Sequence, residues 1–77
     1  RALQGVQHNC SNEQLLNDAA REVREHTAEV REREAELSEA ERSGDAEDVR
    51  KRTAKLEEAV EELEASRQAL QALEAAQ

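Results

Sequence analysis

Phenylalanine, tyrosine, tryptophan, methionine and proline are all absent from the chain, and its 77 residues include two glycines and one cysteine. Each absence excludes something. Without aromatics, a chain this short lacks the large side chains that normally supply the area of a globular core. Without proline, and with glycine only at Gly5 and Gly44, it has few places to turn, so an elongated shape is expected. The lone Cys10 excludes an intrachain disulfide and leaves only a link between two copies. No apolar run approaches the roughly 18 residues of a membrane span. Basic clusters to meet phosphates are also scarce, because the formal net charge is -8; nucleic acid and anionic membranes are therefore not expected partners.

What is present is the composition of long helices. Charged residues make up 39% and hydrophobic residues 36%, dominated by the good helix formers Ala, Glu, Arg, Leu and Gln. Leu16, Val23, Val30 and Leu37 stand at heptad spacing, and Val49, Leu56, Leu63 and Leu70 repeat it after a break. The two stripes mirror each other about Ser43, pairing 37 with 49, 30 with 56, 23 with 63 and 16 with 70. Ser43-Gly44-Asp45 separates them, with Gly44 suited to close a helix and Asp45 to cap the next. Ser11 followed by Gln14 has the pattern of a capping box. These signals predict an all-α, antiparallel two-helix coiled-coil hairpin forming a single module. Its parts are an N-terminal segment over 1–11 with a short helix, helix one over 12–42, a turn at 43–45 and helix two over 46–76. The alternative is one continuous helix in a parallel coiled-coil dimer. Against it, a heptad continued from Leu37 reaches Gly44 and Lys51 where the next apolar residue is Val49.

The seam between the helices reads as thin. Beside the first stripe lie Ala20, Thr27, Glu34 and Glu41, and beside the second Thr53, Val60, Arg67 and Glu74. Ala59, Ser66, Ala69 and Leu73 flank the second stripe as well, and the small ones among them allow close helix approach. The expected packing set is Leu16, Val23, Val30, Leu37, Val49, Leu56, Val60, Leu63, Leu70 and Leu73. With only some layers apolar, a protein partner is expected to complete the hairpin by helix packing, as a homo-oligomer or a hetero-coiled coil.

The charges have local explanations. Arginine and glutamate alternate from Arg21 to Arg42, with Glu29 and Arg33 at the favourable i, i+4 spacing. Arg50, Lys51, Arg52 and Lys55 form a basic cluster that Glu47 and Asp48 can pair with at the same spacing. Glu57, Glu58, Glu61, Glu62 and Glu64 repel one another, which points to a basic partner. Chemistry is not expected. Cys10 has only His8 nearby and no third group to orient it, and His8, Cys10 and His26 match no metal-ligand spacing, so neither catalysis nor a cofactor is predicted. Asn9-Cys10-Ser11 fits the glycosylation pattern, which has meaning only in a secreted chain.

Ser43-Gly44-Asp45, followed by Val49, Thr53, Leu56, Val60, Leu63 and Leu70, resembles the turn and second helix of the Rho-effector homology region. That region is the antiparallel coiled-coil finger of F-BAR adaptors and protein kinase C-related kinases; the F-BAR branch has Met-Gly-Asp at the loop, where Ser43 here replaces the Met. The resemblance implies that Gly44 and Asp45 sit in a loop engaging a Rho-type GTPase. Three functions are thus in view: a non-catalytic interaction or oligomerisation module of a scaffolding protein, a GTPase-binding finger, and an extracellular stalk linked through Cys10 and glycosylated at Asn9. The first two fit the cytoplasm.

Overall fold

The computed structural model describes the backbone of residues 2–76 and the side chains of residues 12–76. Two helices make up the fold, α1 over Ala2–Ser43 and α2 over Ala46–Ala75. They fold back on each other as an antiparallel hairpin measuring 65 × 15 × 12 Å. The long dimension matches the 42 residues of α1 at about 1.5 Å per residue. The continuous helix of a parallel dimer is thereby excluded as the shape of this chain.

The turn forms where the sequence places it. Gly44 has φ 78, the left-handed conformation that glycine adopts without steric penalty. Its amide donates to the carbonyls of Ala40 and Glu41 at 3.2 and 3.3 Å, and the Ser43 hydroxyl donates to the Ala40 carbonyl at 2.7 Å. These bonds satisfy acceptors that the end of α1 leaves free. Asp45 then caps α2, its Oδ1 accepting from the amides of Glu47 at 3.0 Å and Asp48 at 3.2 Å. Those two acidic residues occupy the first turn of α2, where the helix dipole favours them.

The start of α1 differs from expectation. Ser11 and Gln14 do not begin a helix, because α1 already runs through them from Ala2. A serine costs a helix only a fraction of a kcal/mol, and Gly5 about 1 kcal/mol. In a segment without proline, neither ends a helix already under way.

The seam also differs in its second stripe. On α1 the inward positions alternate by three and four: Leu16, Ala19, Val23, His26, Val30, Arg33, Leu37 and Ala40. On α2 they are Val49, Arg52, Leu56, Ala59, Leu63, Ser66, Leu70 and Leu73. All of these are buried or half-buried. Glu34, Glu41, Arg67 and Glu74, expected beside the stripes, point to solvent. Val60 is likewise 41% exposed, whereas its neighbour Ala59 is only 4% exposed; the packing position belongs to the alanine. The register shifts with it. Glu36 meets Arg52 and His26 meets Glu62, and each pair is equidistant from Gly44 rather than Ser43. That register brings Val30 and Val23 within a residue of the level of Ala59 and Ser66, and Val49 and Leu70 within a residue of Ala40 and Ala19. Large therefore opposes small, and the backbones approach closely. Ser66 keeps its hydroxyl satisfied by donating to the Glu62 carbonyl at 2.7 Å.

Two stability measurements test this account by urea unfolding. Gly44→Ala meets nothing within 4 Å of the added carbon, so its expected destabilisation, about 1–2 kcal/mol, comes from the left-handed backbone alone. Ala59→Leu is expected to destabilise by about 1–3 kcal/mol through overpacking. A stabilising Ala59→Leu would contradict the large-against-small seam.

Candidate functional site

The two flanks of the seam are chemically different. One carries Glu22, Glu29, Glu36, Asp48, Lys55 and Glu62, and the inward polar residues His26, Arg33 and Arg52 lean toward it. Their side chains lay their apolar parts in the seam and keep their polar ends at its edge. Near the turn, Arg33 donates to Glu36 Oε1 at 2.9 Å, and Arg52 reaches the same oxygen from α2 at 3.4 Å. Arg52 also pairs with Asp48 at 3.4 Å, and Arg33 with Glu29 Oε1 at 3.7 Å. Both of these last pairs were legible from their i, i+4 spacing.

Glu36 is the centre of this network. The hydrogen bond from Arg33 holds its carboxyl below the ordinary value, with the charges of Arg33, Arg52 and Lys55 adding to the effect against desolvation. The Arg33 guanidinium is correspondingly raised, first by its bond to Glu36 and then by that carboxylate's charge. One carboxylate thus ties two arginines from two helices.

Further from the turn, His26 faces two carboxylates. Its Nδ1 lies 3.6 Å from Glu62 Oε2 across the seam and 3.8 Å from Glu29 Oε2 one turn along α1. That nitrogen is shielded from solvent and has no hydrogen-bond partner. The acidic stretch of α2 thereby finds one counterpart within the chain itself. His26 was considered in the sequence only with His8 and Cys10, and the structure groups it instead with Glu29 and Glu62. Asn9 and Cys10 lie outside the residues whose side chains are described.

Gly44 and Asp45, singled out as partner-binding, are accounted for locally: one supplies the turn conformation and the other the helix cap. The family model described as "Protein of unknown function (DUF1090)" matches residues 1–65. The chain belongs to that family. Its match takes in α1, the turn and most of α2, including the whole charged flank. No curated protein and no solved structure matches the chain.

The lowered Glu36 carboxyl makes an acid-dependent prediction. A group held below its ordinary value of 4.5 contributes stability that is present above that value and lost as pH falls through the folded-state value. Thermal melts of the native chain and of Glu36→Gln should therefore differ in full above about pH 5 and converge on further acidification. A difference that persists unchanged in acid would show that Glu36 does not act through its charge.

Proposed function

We propose that the hairpin is a non-catalytic helix-packing module that associates with another helical surface, in the first instance a second copy of itself. The observation carrying this reading is the flank opposite the ion pairs. It bears Ala20, Thr27, Ala46, Thr53 and Val60, with Glu34, Glu41, Arg67 and Glu74 exposed along the same rows, and among the described residues no ion pair joins the helices there. The hydroxyls of Thr27 and Thr53 donate to the carbonyls of Val23 and Val49, each at 2.7 Å. Their hydroxyl protons are engaged within their own helices, leaving small and apolar groups between the charged positions of this face. A shallow groove lined by Ala46, Val49, Arg50, Thr53, Ala54 and Glu57 continues this face toward the turn.

Incomplete burial supports the same reading. Of the large stripe residues only Leu63 is buried, at 9% exposure, while Leu16, Val23, Val30, Leu37, Val49, Leu56 and Leu70 are half-buried. Covering them with a further helix removes more apolar area from water, at about 25 cal/mol per Å².

Sedimentation equilibrium combined with melting over a wide range of concentration tests the proposal. The midpoint is expected to rise with concentration, and Val60→Glu should weaken association about tenfold or more, the equivalent of about 1.4 kcal/mol. A monomer at every concentration that melts cooperatively at high temperature contradicts it, because such a hairpin needs no completion.

A further inference from the structure

We propose that His26, Glu29 and Glu62 form a binding site for a divalent transition cation of the zinc class, which clamps α1 to α2. The three side chains come from two helices, and their donor atoms lie within 4.8 Å of one another. A tetrahedral ion held at 2.0–2.2 Å requires its donors to be about 3.3–3.6 Å apart. His26 Nδ1 stands 3.6 Å from Glu62 Oε2 and 3.8 Å from Glu29 Oε2, so small rotations of two flexible glutamates complete the geometry.

The state of the imidazole nitrogen is the second observation. Nδ1 is shielded from water and makes no hydrogen bond, an arrangement that leaves a lone pair or a proton unsatisfied between two carboxylates. A cation there satisfies all three groups at once, and its two positive charges neutralise the two carboxylates. It also relieves the surrounding repulsion, since Glu22 and Glu58 line the adjoining grooves. Arg33 engages the other oxygen, Oε1, of Glu29 at 3.7 Å, and so can orient Glu29 with Oε2 toward the ion. Lys55 lines the same groove as a competing cation; it is the local charge the ion must outcompete.

The donor set selects the ion. One imidazole nitrogen with two carboxylate oxygens suits zinc, cobalt or nickel, whereas calcium and magnesium prefer all-oxygen shells. Three protein ligands leave a fourth position for water. The consequence for the protein is mechanical: a bond across the seam fixes the register that elsewhere depends on small residues and ion pairs. This site does not rest on the proposed self-association, and it lies on the opposite flank.

The test uses zinc and cobalt ions alone with the whole chain, followed by calorimetric titration, cobalt absorption and thermal melting. Expected are one ion per chain, a raised melting midpoint, and no comparable effect of magnesium. His26→Ala and Glu62→Gln should each weaken binding by more than the roughly 10–100-fold that loss of an outer-shell partner costs. A variant carrying His8→Ala and Cys10→Ser should retain it. In the unaltered chain, the imidazole resonances of His26 should shift on adding zinc while those of His8 do not, a reading that holds whatever the variants do to folding. Absence of saturable binding up to about millimolar zinc, or binding that survives His26→Ala and is lost with His8 and Cys10, overturns the site.

Discussion

The distance between the two helices is set by residues with almost no side chain. Among the described residues, Ala19, Ala40, Ala59 and Ser66 are the most buried positions alongside Leu63, and each lies level with a larger residue of the opposite helix. Small residues at these points let the backbones come close, so that valine and leucine side chains extend over the partner helix instead of meeting end to end. Close approach is in turn what lets Glu36 reach Arg52 and Glu62 reach His26. Bulk at the same positions would hold the helices apart, and the cross-helix pairs would become water-filled gaps of little worth. The turn cooperates by fixing the mirror centre at Gly44, which brings Val23, Val30, Val49 and Leu70 to small residues.

This explains why the fold was legible in the sequence and the seam only partly so. The heptad stripes and Gly44-Asp45 carry physical signals that do not depend on the other helix: an apolar face, a residue free to adopt positive φ, and a cap. The second stripe carries no such signal. Positions three and four residues beyond a stripe residue are equally near the seam, and hydrophobicity favours the wrong one. Val60 is more apolar than Ala59, and Thr27 more so than His26. The packed structure chooses Ala59 because volume, not hydrophobicity, limits a close seam. It accepts His26, Arg33 and Arg52 because part of each side chain is apolar and the polar end reaches the edge. The start of α1 was misjudged for a related reason. A capping pattern at Ser11 has force only where a helix must begin, and α1 is already formed there.

The candidate site failed to appear in the sequence because it depends on that register. His26 and Glu29 are one turn apart and can be paired on spacing alone, but Glu62 is distant in the chain. With the mirror centre at Ser43, the stripes were set valine and leucine against valine and leucine, and nothing directed attention to what the flanks bring together. Moving the centre by one residue to Gly44 rotates no helix. It changes which side chains of α2 are level with His26, and it gives Glu62, one carboxylate of the acidic stretch, a histidine counterpart within the hairpin.

The difference between the flanks then gives the molecule a division of labour. Polar side chains on the first flank satisfy one another across the seam, so desolvating that edge under another protein would strip hydration from carboxylates and arginines that gain little in return. On the second flank the penalty is smaller around Thr27, Thr53 and Val60, between the exposed Glu34, Glu41, Arg67 and Glu74: the threonine hydroxyls donate within their own helices, and Val60 already stands in water. A neighbouring helix of the kind proposed would therefore gain most by covering Thr27, Thr53 and Val60, which would leave the His26 side open to small ions. The two events are coupled only through the seam they share. Anything that tightens the register on one flank presents Thr27, Thr53 and Val60 in a more fixed arrangement on the other, lowering the ordering entropy that association must overcome. Were both proposed events to occur, the two edges of this narrow hairpin would act as a linked pair, with the small residues between them as the link.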